Sequence, residues 1–453
     1  MTFATYFNRT TLGADLSSPE DLVVYEDIIY MVDSNANTLT TVNSNFELIA
    51  QRNQFVVSND YLSTIEEPLE EGNFLTLDSP RGIDVKESGI YIADTNNYRI
   101  VKLNHNYEVI DIFQDIADPT FDELNFEPSK LTVDASERMY VVARNVYEGI
   151  LELDSDGSFN RFTGVNPINL NPIEVLRRSL MTEEQLAQLQ LYLPTEYTNV
   201  NIDHRSFIYA TSRPSDGSSE KSIQLINPKG VDVLKRNGYH EPMGDVHFIE
   251  EENTHVQSGP SLLADIAWTD NGIYTVLDQR RSRLFTYDKE GNLLYVNGDE
   301  GAQSDKFSEG VAIDYLGDDL LVLDRRSNTV IVYGLTEFGE AVNLAVSHHE
   351  NGRFSEAATV WEEVIKLNTN YEIAYNGIGK YYLRIGEFDT ALEYFSLGHD
   401  QFYYSKAFQG YRNTIIKENF ALIMGGIIVV VGSLIGLKVY KVYKKGGSIM
   451  YED

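Results

Sequence analysis

The sequence predicts an all-β six-bladed propeller, followed by an α-helical pair of hairpins and one transmembrane helix. Three observations carry this prediction. Six repeats of short strands and turns fill the first three quarters of the chain, and two helical segments align at a 34-residue spacing, from Gly352 to Gly386. An uncharged run of 18 residues follows at 420–437. The predicted divisions of the 453 residues are 1–337, 338–419, 420–437 and 438–453.

Each β repeat contains a short strand, a turn, a second strand such as "IYIAD", a polar turn, a third strand and usually a fourth. A unit of about forty residues with four strands is typical of one propeller blade. The repeats begin at Ser18, Ser79, Pro128, Glu196, Leu262 and Ser308.

A recurring aspartate ends the second strand of four repeats, at Asp33, Asp94, Asp278 and Asp324. A carboxylate at this place can accept backbone N–H bonds and hold a turn. The alternative is a ring of metal ligands. The turn interpretation is favoured because the third and fourth repeats carry "VVARN" and "YATSR" instead.

The N-terminal strand is predicted to close the ring. The last repeat passes into a helical pattern without a fourth strand, whereas "TFATYFN" at 2–8 is a spare strand. It is similar to "NLLYVNG", which fills the fourth-strand place in the preceding repeat. Pairing of 2–8 with the sixth blade would remove a free sheet edge.

The repeats resemble NHL repeats, whose pattern runs "GIxVxxxGxIYVADxxNxRIxxF". The match is close at 82–104 and good at 265–287 and 310–333. The resemblance covers about three quarters of the chain and implies a six-bladed propeller. Such propellers bind proteins, RNA or sugars, and a few relatives are enzymes, so the resemblance does not fix the chemistry.

Two segments interrupt the repeats: an acidic loop at 51–78 and a helical insert at 171–194. Binding residues often lie on such insertions, although an insert can also be a passive packing lid. The residues predicted to bind a ligand or partner lie in the insert, in the departures from the pattern or in the polar turns: Arg144, Asn145, Arg177, Arg178, Arg213, Arg280 and Arg325.

From residue 338 the hydrophobic period becomes helical. Gly352, Phe354 and Ala357 align with Gly386, Phe388 and Ala391, and this spacing resembles the tetratricopeptide repeat. The predicted packing positions are Gly352, Ala357, Trp361, Tyr375, Gly379, Tyr382, Gly386, Ala391 and Phe395. The resemblance implies a surface that docks a peptide or helix of another protein. A stalk that holds the propeller above the bilayer is the alternative.

The run at 420–437 covers roughly 27 Å as a helix, close to the thickness of a hydrocarbon core. Lysines follow it at 438, 441, 444 and 445, which favours a cytoplasmic C-terminus. The N-terminus lacks a signal peptide. Either a signal has been removed and the propeller is outside, which we favour, or the protein is tail-anchored with its bulk in the cytoplasm. Gly432 and Gly436 are spaced for possible helix pairing.

The net charge is −33, from 36 Lys and Arg against 69 Asp and Glu, which disfavours nucleic acid as a partner. The absence of cysteine excludes disulfides and thiolate sites. No phosphate-binding loop, HExxH or GxSxG motif is present. Scattered surface histidines are favoured over a metal cluster, and no metal or cofactor is predicted.

The enzymatic alternative is a propeller hydrolase that resembles the calcium-dependent lactonases. That resemblance would imply a Glu, an Asn and an Asp around a cation in the channel. The first strands offer Asp84, Asp134, Asp203 and Asp314. Their recurrence favours turn chemistry, and no lone Glu on an inner strand is identified to complete the site.

The expected function is therefore binding. We expect a membrane-anchored, extracytoplasmic bacterial scaffold whose propeller face captures a protein or glycan. Its helical repeats would dock a membrane-proximal partner, such as a transporter or secretion component. The alternatives are the surface-anchored hydrolase and a tail-anchored cytoplasmic scaffold.

Overall fold

The structure is a computed structural model. It describes residues 3–64, 73–114, 116, 126–144, 146–164, 196–213, 221–245, 259–301, 303 and 305–446. By its contacts the chain divides into two compact units, residues 1–346 and 347–453.

The first unit is a six-bladed β-propeller, as the repeats predict. Alternating apolar positions and polar turns place each repeat in one antiparallel sheet. The first three blades consist of β2 (Pro19–Tyr25), β3 (Ile28–Asp33), β4 (Thr38–Asn43) and β5 (Leu48–Arg52); β8 (Pro80–Lys86), β9 (Gly89–Asp94), β10 (Arg99–Leu103) and β11 (Val109–Phe113); and β12 (Glu127–Val133), β13 (Met139–Arg144), β14 (Ile150–Leu153) and β15 (Phe159–Thr163).

The fourth blade has three strands in the described part of the chain, and the fifth has four. These are β16 (Glu196–Ile202), β17 (Ile208–Arg213) and β18 (Ile223–Ile226), then β19 (Leu263–Trp268), β20 (Ile273–Asp278), β21 (Arg283–Asp288) and β22 (Leu293–Asn297). The sixth contains β23 (Gly310–Leu316), β24 (Asp319–Asp324) and β25 (Thr329–Gly334).

The ring closes through the N-terminus. Strand β1 (Phe3–Phe7) pairs antiparallel with β25, with Thr5 opposite Val332, and becomes the outermost strand of the sixth blade. The innermost strands β2, β8, β12, β16, β19 and β23 contact one another in a closed circle around a channel. Closure leaves β25 without a free edge.

In the described part of the propeller, six apolar clusters fill the core, one in each gap between neighbouring blades. Leu22 and Val311 belong to the cluster that joins the first and last blades, and both are buried. Burial between blades, rather than within one, makes each repeat depend on its neighbours. Smaller elements on the ring are α1 (Arg9–Leu12), the hairpin of β6 (Gln54–Val56) and β7 (Phe74–Thr76), and α2 (Asn59–Leu62).

After the propeller the chain is helical. The helices are α3 (Glu337–Glu350), α4 (Phe354–Leu367), α5 (Glu372–Ile385), α6 (Phe388–Leu397), α7 (Gln401–Glu418) and α8 (Phe420–Gly446). Helix α5 packs against α4 and α6, and α6 packs against α7. Gly352 and Gly386, with φ of 74° and 86°, form the left-handed turns before α4 and α6, a conformation that glycine adopts without strain.

Small and aromatic residues pack the helical unit. A Cβ on Gly379 would lie 2.7 Å from Phe395 Cε1, so a side chain at this position would collide with the Phe395 ring. Ala357, Trp361, Ala391 and Phe395 are buried. Tyr375 and Tyr382 are half-buried, and the Tyr375 hydroxyl donates to the Thr369 carbonyl at 3.0 Å.

Helix α8 is long and apolar enough to cross a membrane. Its candidate span, Phe420–Lys444, has a mean hydropathy of 2.6, and its most apolar window is not covered by other parts of the protein. The helix continues beyond residue 437, where the uncharged run ends, and reaches Gly446. A Cβ on Gly432 or Gly436 would meet open space.

Candidate functional site

Three layers of the propeller channel bring polar side chains together. We call the end at which the six innermost strands begin the upper mouth, and the end at which they finish the lower cavity. Each innermost strand has a bulge near its start, after which one residue per blade holds an equivalent position. These six residues form the middle layer: Asp21, Gly82, Lys130, Asn199, Asp265 and Ala312.

Lys130 joins blades across this layer. Its ammonium lies 2.7 Å from Asp21 Oδ1 and donates to the Glu20 carbonyl at 2.9 Å. Lys130 belongs to the third blade and Asp21 to the first. The blade between them contributes Gly82, and a Cβ there would lie 2.9 Å from Lys130 Cα. The bare glycine therefore lets the third blade approach closely enough for this contact.

The middle layer is buried, and its carboxyl groups resist ionisation. Burial raises the pKa of Asp265 well above its usual range, and raises that of Asp21 against the opposing effect of Lys130. Asn199 Nδ2 donates to Asp265 Oδ1. A cavity of about 30 Å³, roughly one water molecule in size, lies between this layer and the lower-cavity residues Asp84 and Asp314. The channel is therefore narrow at the middle layer.

Four channel aspartates also link neighbouring blades. Each accepts a backbone N–H from the innermost strand of the next blade, at 2.6–3.0 Å: Asp21 from Ile83, Asp84 from Val133, Asp265 from Ile313 and Asp314 from Val24. These bonds fix the carboxylates on rigid strands.

Two of these positions correct the sequence analysis, which assigned Asp84 and Asp314 to turn chemistry. Both lie inside innermost strands and line the channel. Asp134 and Asp203 do hold turns: Oδ1 of Asp134 accepts the Ser136 N–H at 2.8 Å, and Oδ1 of Asp203 accepts the Arg205 N–H at 2.8 Å. The expectation of no glutamate on an inner strand was also wrong, because Glu20 lies on β2 and is buried.

The lower cavity has a volume of about 720 Å³. Its walls combine aromatic and polar groups, including Tyr25, Asp84, Lys86, Asn201, Trp268 and Asp314. The Trp268 indole is parallel to the Tyr209 ring, with centroids 6.4 Å apart, and its Nε1 donates to Asn201 Oδ1 at 3.3 Å. These contacts hold the indole in one orientation at the cavity wall.

Asp314 is the strongly perturbed carboxyl group of the lower cavity. Burial raises its pKa to about 7; the nearby Asp84 also raises it, while Lys86 and two backbone N–H groups lower it. Lys86 Nζ lies 3.1 Å from Asp84 Oδ1. A carboxyl group that titrates near neutral pH in a cavity is a recognised mark of functional sites.

At the upper mouth, the four recurring aspartates hold turns. All are buried, and each accepts a backbone N–H from the segment that leads into its own blade at 2.6–2.9 Å: Asp33 from Ser17, Asp94 from Asp78, Asp278 from Leu262 and Asp324 from Glu309. Their oxygens are thereby committed to the fold. Among the described residues, no group of three or more His, Asp or Glu is arranged to hold a metal ion.

Arginine takes the place of this aspartate in two blades. Arg144 and Arg213 end β13 and β17, opposite Glu127 and Glu196 in the register, and both are exposed. Arg325 pairs with Glu20 at 3.0 Å and with Glu309. Four of the arginines selected from the sequence lie at second-strand ends or within two residues after them: Arg144, Arg213, Arg280 and Arg325. Asn145, Arg177, Arg178 and the insert 171–194 lie outside the described residues.

Sequence reasoning missed Glu20, Arg81, Lys130 and Trp268. Arg81 Nη1 lies 3.2 Å from Glu20 Oε1 at the upper mouth. The sequence does contain a signal for Lys130 and Asn199. At the repeat position that they occupy, the other four blades carry aspartate, glycine or alanine. The strand bulges shift the repeats against one another, so a simple alignment does not bring these residues into one column.

The sequence matches no protein-family model and no curated protein. A selenomethionine-substituted virginiamycin B lyase from Staphylococcus aureus is similar in structure, at 11% identity and a TM-score of 0.43 over 74% of this chain and 100% of that chain. A streptogramin B lyase is similar at 13% identity and a TM-score of 0.41, over 74% of this chain and 98% of that chain. A protein of unknown function from Bacteroides thetaiotaomicron is similar at 10% identity and a TM-score of 0.43, over 74% of this chain and 76% of that chain. Likeness at this level carries no information about activity or ligand.

Proposed function

We propose that this protein is a membrane-anchored binding protein whose propeller captures a neutral glycan in the lower cavity. The observation that carries this proposal is the cavity of about 720 Å³ with an indole and hydrogen-bonding side chains in its walls. Small-ligand sites have volumes of about 300–1,000 Å³ and combine apolar surfaces with a few placed polar groups.

The lining matches the chemistry of a sugar. The apolar face of a pyranose packs on an aromatic ring, and Trp268 and Tyr25 provide such rings. Hydroxyl groups need acceptors, and each Asp314 oxygen keeps a spare lone pair beside its single backbone bond. Acidic side chains outnumber basic ones in the cavity wall, so the wall repels acidic ligands and favours neutral ones. The basic groups are Lys86 and His204, and the six acidic groups are Asp84, Glu87, Asp134, Glu137, Asp203 and Asp314.

The topology and the helical repeats complete the proposal. Helix α8 anchors the chain, with the propeller outside and the lysines after residue 437 inside, in accordance with the positive-inside rule. The tetratricopeptide-like helices α4 to α7 dock a neighbouring membrane protein, such as a transporter or secretion component. The bulk charge of −33 is compatible with an external body and a basic internal tail.

Titration calorimetry of the full chain in detergent with neutral oligosaccharides tests the ligand. Trp268→Ala is expected to weaken binding by about tenfold, since it removes the stacking surface. Tyr239→Ala is the matched control, because Tyr239 is 93% exposed and is not part of the cavity lining. Equal affinity of Trp268→Ala and the natural protein would contradict the proposal. Protease treatment of intact cells tests the topology, because complete protection of the propeller would place it inside.

A further inference from the structure

The upper mouth holds a group of arginines that the lower cavity does not use. In a chain of net charge −33, Arg81, Arg144 and Arg325 gather at one end of the channel. The pKa of Arg81 is lowered by burial, and the nearby Arg144 and Arg325 lower it further. Arg81 therefore lies near two further guanidinium groups at this mouth. At Arg325 burial lowers the pKa, but the bonds to Glu309 and Glu20 outweigh it and raise the pKa. The middle layer lies between this mouth and the lower cavity.

Carboxylates pair with two of these arginines, Arg81 and Arg325, and leave the third without an ion pair among the described residues. Glu20 is shared, at 3.2 Å from Arg81 and 3.0 Å from Arg325, and Glu309 pairs with Arg325. Glu127 lies opposite Arg144 in the strand register, but the Arg144 side chain forms no hydrogen bond or ion pair with any described residue. The Nε of Arg81 is buried without an acceptor in the described part of the chain.

Arg144 occupies a position at which most blades carry an aspartate. In four other blades the same position is an aspartate that holds the turn before its own first strand. A guanidinium group cannot accept the backbone N–H bonds that the aspartate accepts, so this turn contact is missing in the third blade. The Arg144 guanidinium instead presents hydrogen-bond donors at the upper mouth. The fourth blade does the same with Arg213, which also has no partner among the described residues.

We propose that the upper mouth is a binding site for an oxyanion, a carboxylate or phosphate group, held by Arg81 and Arg144 with Arg325 at its side. Guanidinium groups bind such oxyanions through two parallel N–H bonds, which matches two arginines that have donors to spare. One ion pair with Glu20 engages Nη1 of Arg81, and its Nε has no acceptor among the described residues, so Arg81 retains donors for a ligand. This site is independent of the glycan site in the lower cavity.

The test is calorimetric titration of the full chain in detergent with inorganic phosphate and with glucuronate, at constant ionic strength. Saturable binding of at least one probe is expected, and the probe that binds distinguishes a phosphate source from a carboxylate source. Arg144→Gln should weaken that binding by about tenfold or more, because one charge-assisted pair is lost.

Arg412→Gln is the matched control, since Arg412 is exposed on α7 and its loss removes the same charge. Arg144 is exposed, so its substitution does not endanger the fold. A second variant, Arg81→Lys, keeps the positive charge but loses the two-pronged guanidinium group, and it is expected to bind the probe more weakly. The proposal is overturned if neither probe binds saturably, or if Arg144→Gln binds as tightly as the natural protein. Unchanged glycan binding in Arg144→Gln would show that the two sites are separate.

Discussion

The Lys130 ammonium lies 2.7 Å from Asp21 Oδ1 in the middle of the propeller channel, and so joins the third blade to the first. Lys130→Met should leave the Asp21 carboxylate buried without its partner. We expect a loss of about 3–5 kcal/mol in the free energy of unfolding, measured by urea denaturation at neutral pH. Lys229→Met, at an exposed turn, is the control. A Lys130→Met protein as stable as this control would mean that the pair contributes nothing.

Gly82 makes that contact possible, so Gly82→Ala should also destabilise the propeller. The new Cβ would lie 2.7 Å from the Ser129 carbonyl oxygen, which belongs to backbone that cannot easily move. We expect a cost of about 1–3 kcal/mol, as for an overpacked core, together with a lower melting temperature. Unchanged melting would show that the blades separate freely at this point.

Stability should fall as the pH rises toward neutrality. Burial raises the pKa of Asp314 to about 7, whereas an unfolded aspartate titrates near about 4. Between these values the native protein keeps a proton that the unfolded chain has lost, so the free energy of unfolding decreases with pH and levels off above about 7.

Asp314→Asn should remove this part of the pH dependence, which is measured as the difference in unfolding free energy between pH 5 and pH 8. Asp84 and Lys86, which face Asp314, remain in the variant, as do Asp21 and Asp265. An unchanged difference between the two pH values would show that Asp314 ionises normally.

The turn aspartates should be needed for the fold. Asp94 accepts the Asp78 N–H at 2.7 Å and the Arg99 Nε–H at 2.8 Å while fully buried. Asp94→Ala leaves both donors without this acceptor, and we expect a loss of about 2–4 kcal/mol in chemical denaturation. Asp318→Ala, at an exposed position, should change little. Similar stabilities of the two variants would refute this structural role.

Strand β1 should be required to protect the edge of the sixth blade from pairing with other chains. Deletion of residues 1–8 exposes the edge of β25, which pairs with Phe3–Phe7. We expect a lower melting temperature and concentration-dependent oligomers in gel filtration, because an open edge pairs with other chains. A synthetic peptide of residues 1–8 should reverse this additional association. A deletion that associates no more than the full chain and is equally stable would contradict the closing role of β1.

Much of the fold could be predicted because local patterns specify it. The strand alternation and turn residues of the six repeats indicate blades, and the missing fourth strand after Tyr333 indicates where the N-terminal strand is needed. The run at 420–437 predicts a membrane helix by length and apolarity alone. The site was less predictable: Asp84 and Asp314 have the residue type and approximate spacing of turn aspartates, and only their strand pairing distinguishes them.

The sequence by itself determined the number of blades, the position of the turn aspartates, the helical region after the propeller and the apolar span. These depend on neighbours a few residues apart. The tertiary structure alone decided that Asp21, Lys130, Asn199 and Asp265 share one layer, and that Arg81, Arg144 and Arg325 meet at one mouth. The physical reason is that a bulge shifts each strand by one residue before it enters the channel, and that burial and charge act between blades far apart in the chain.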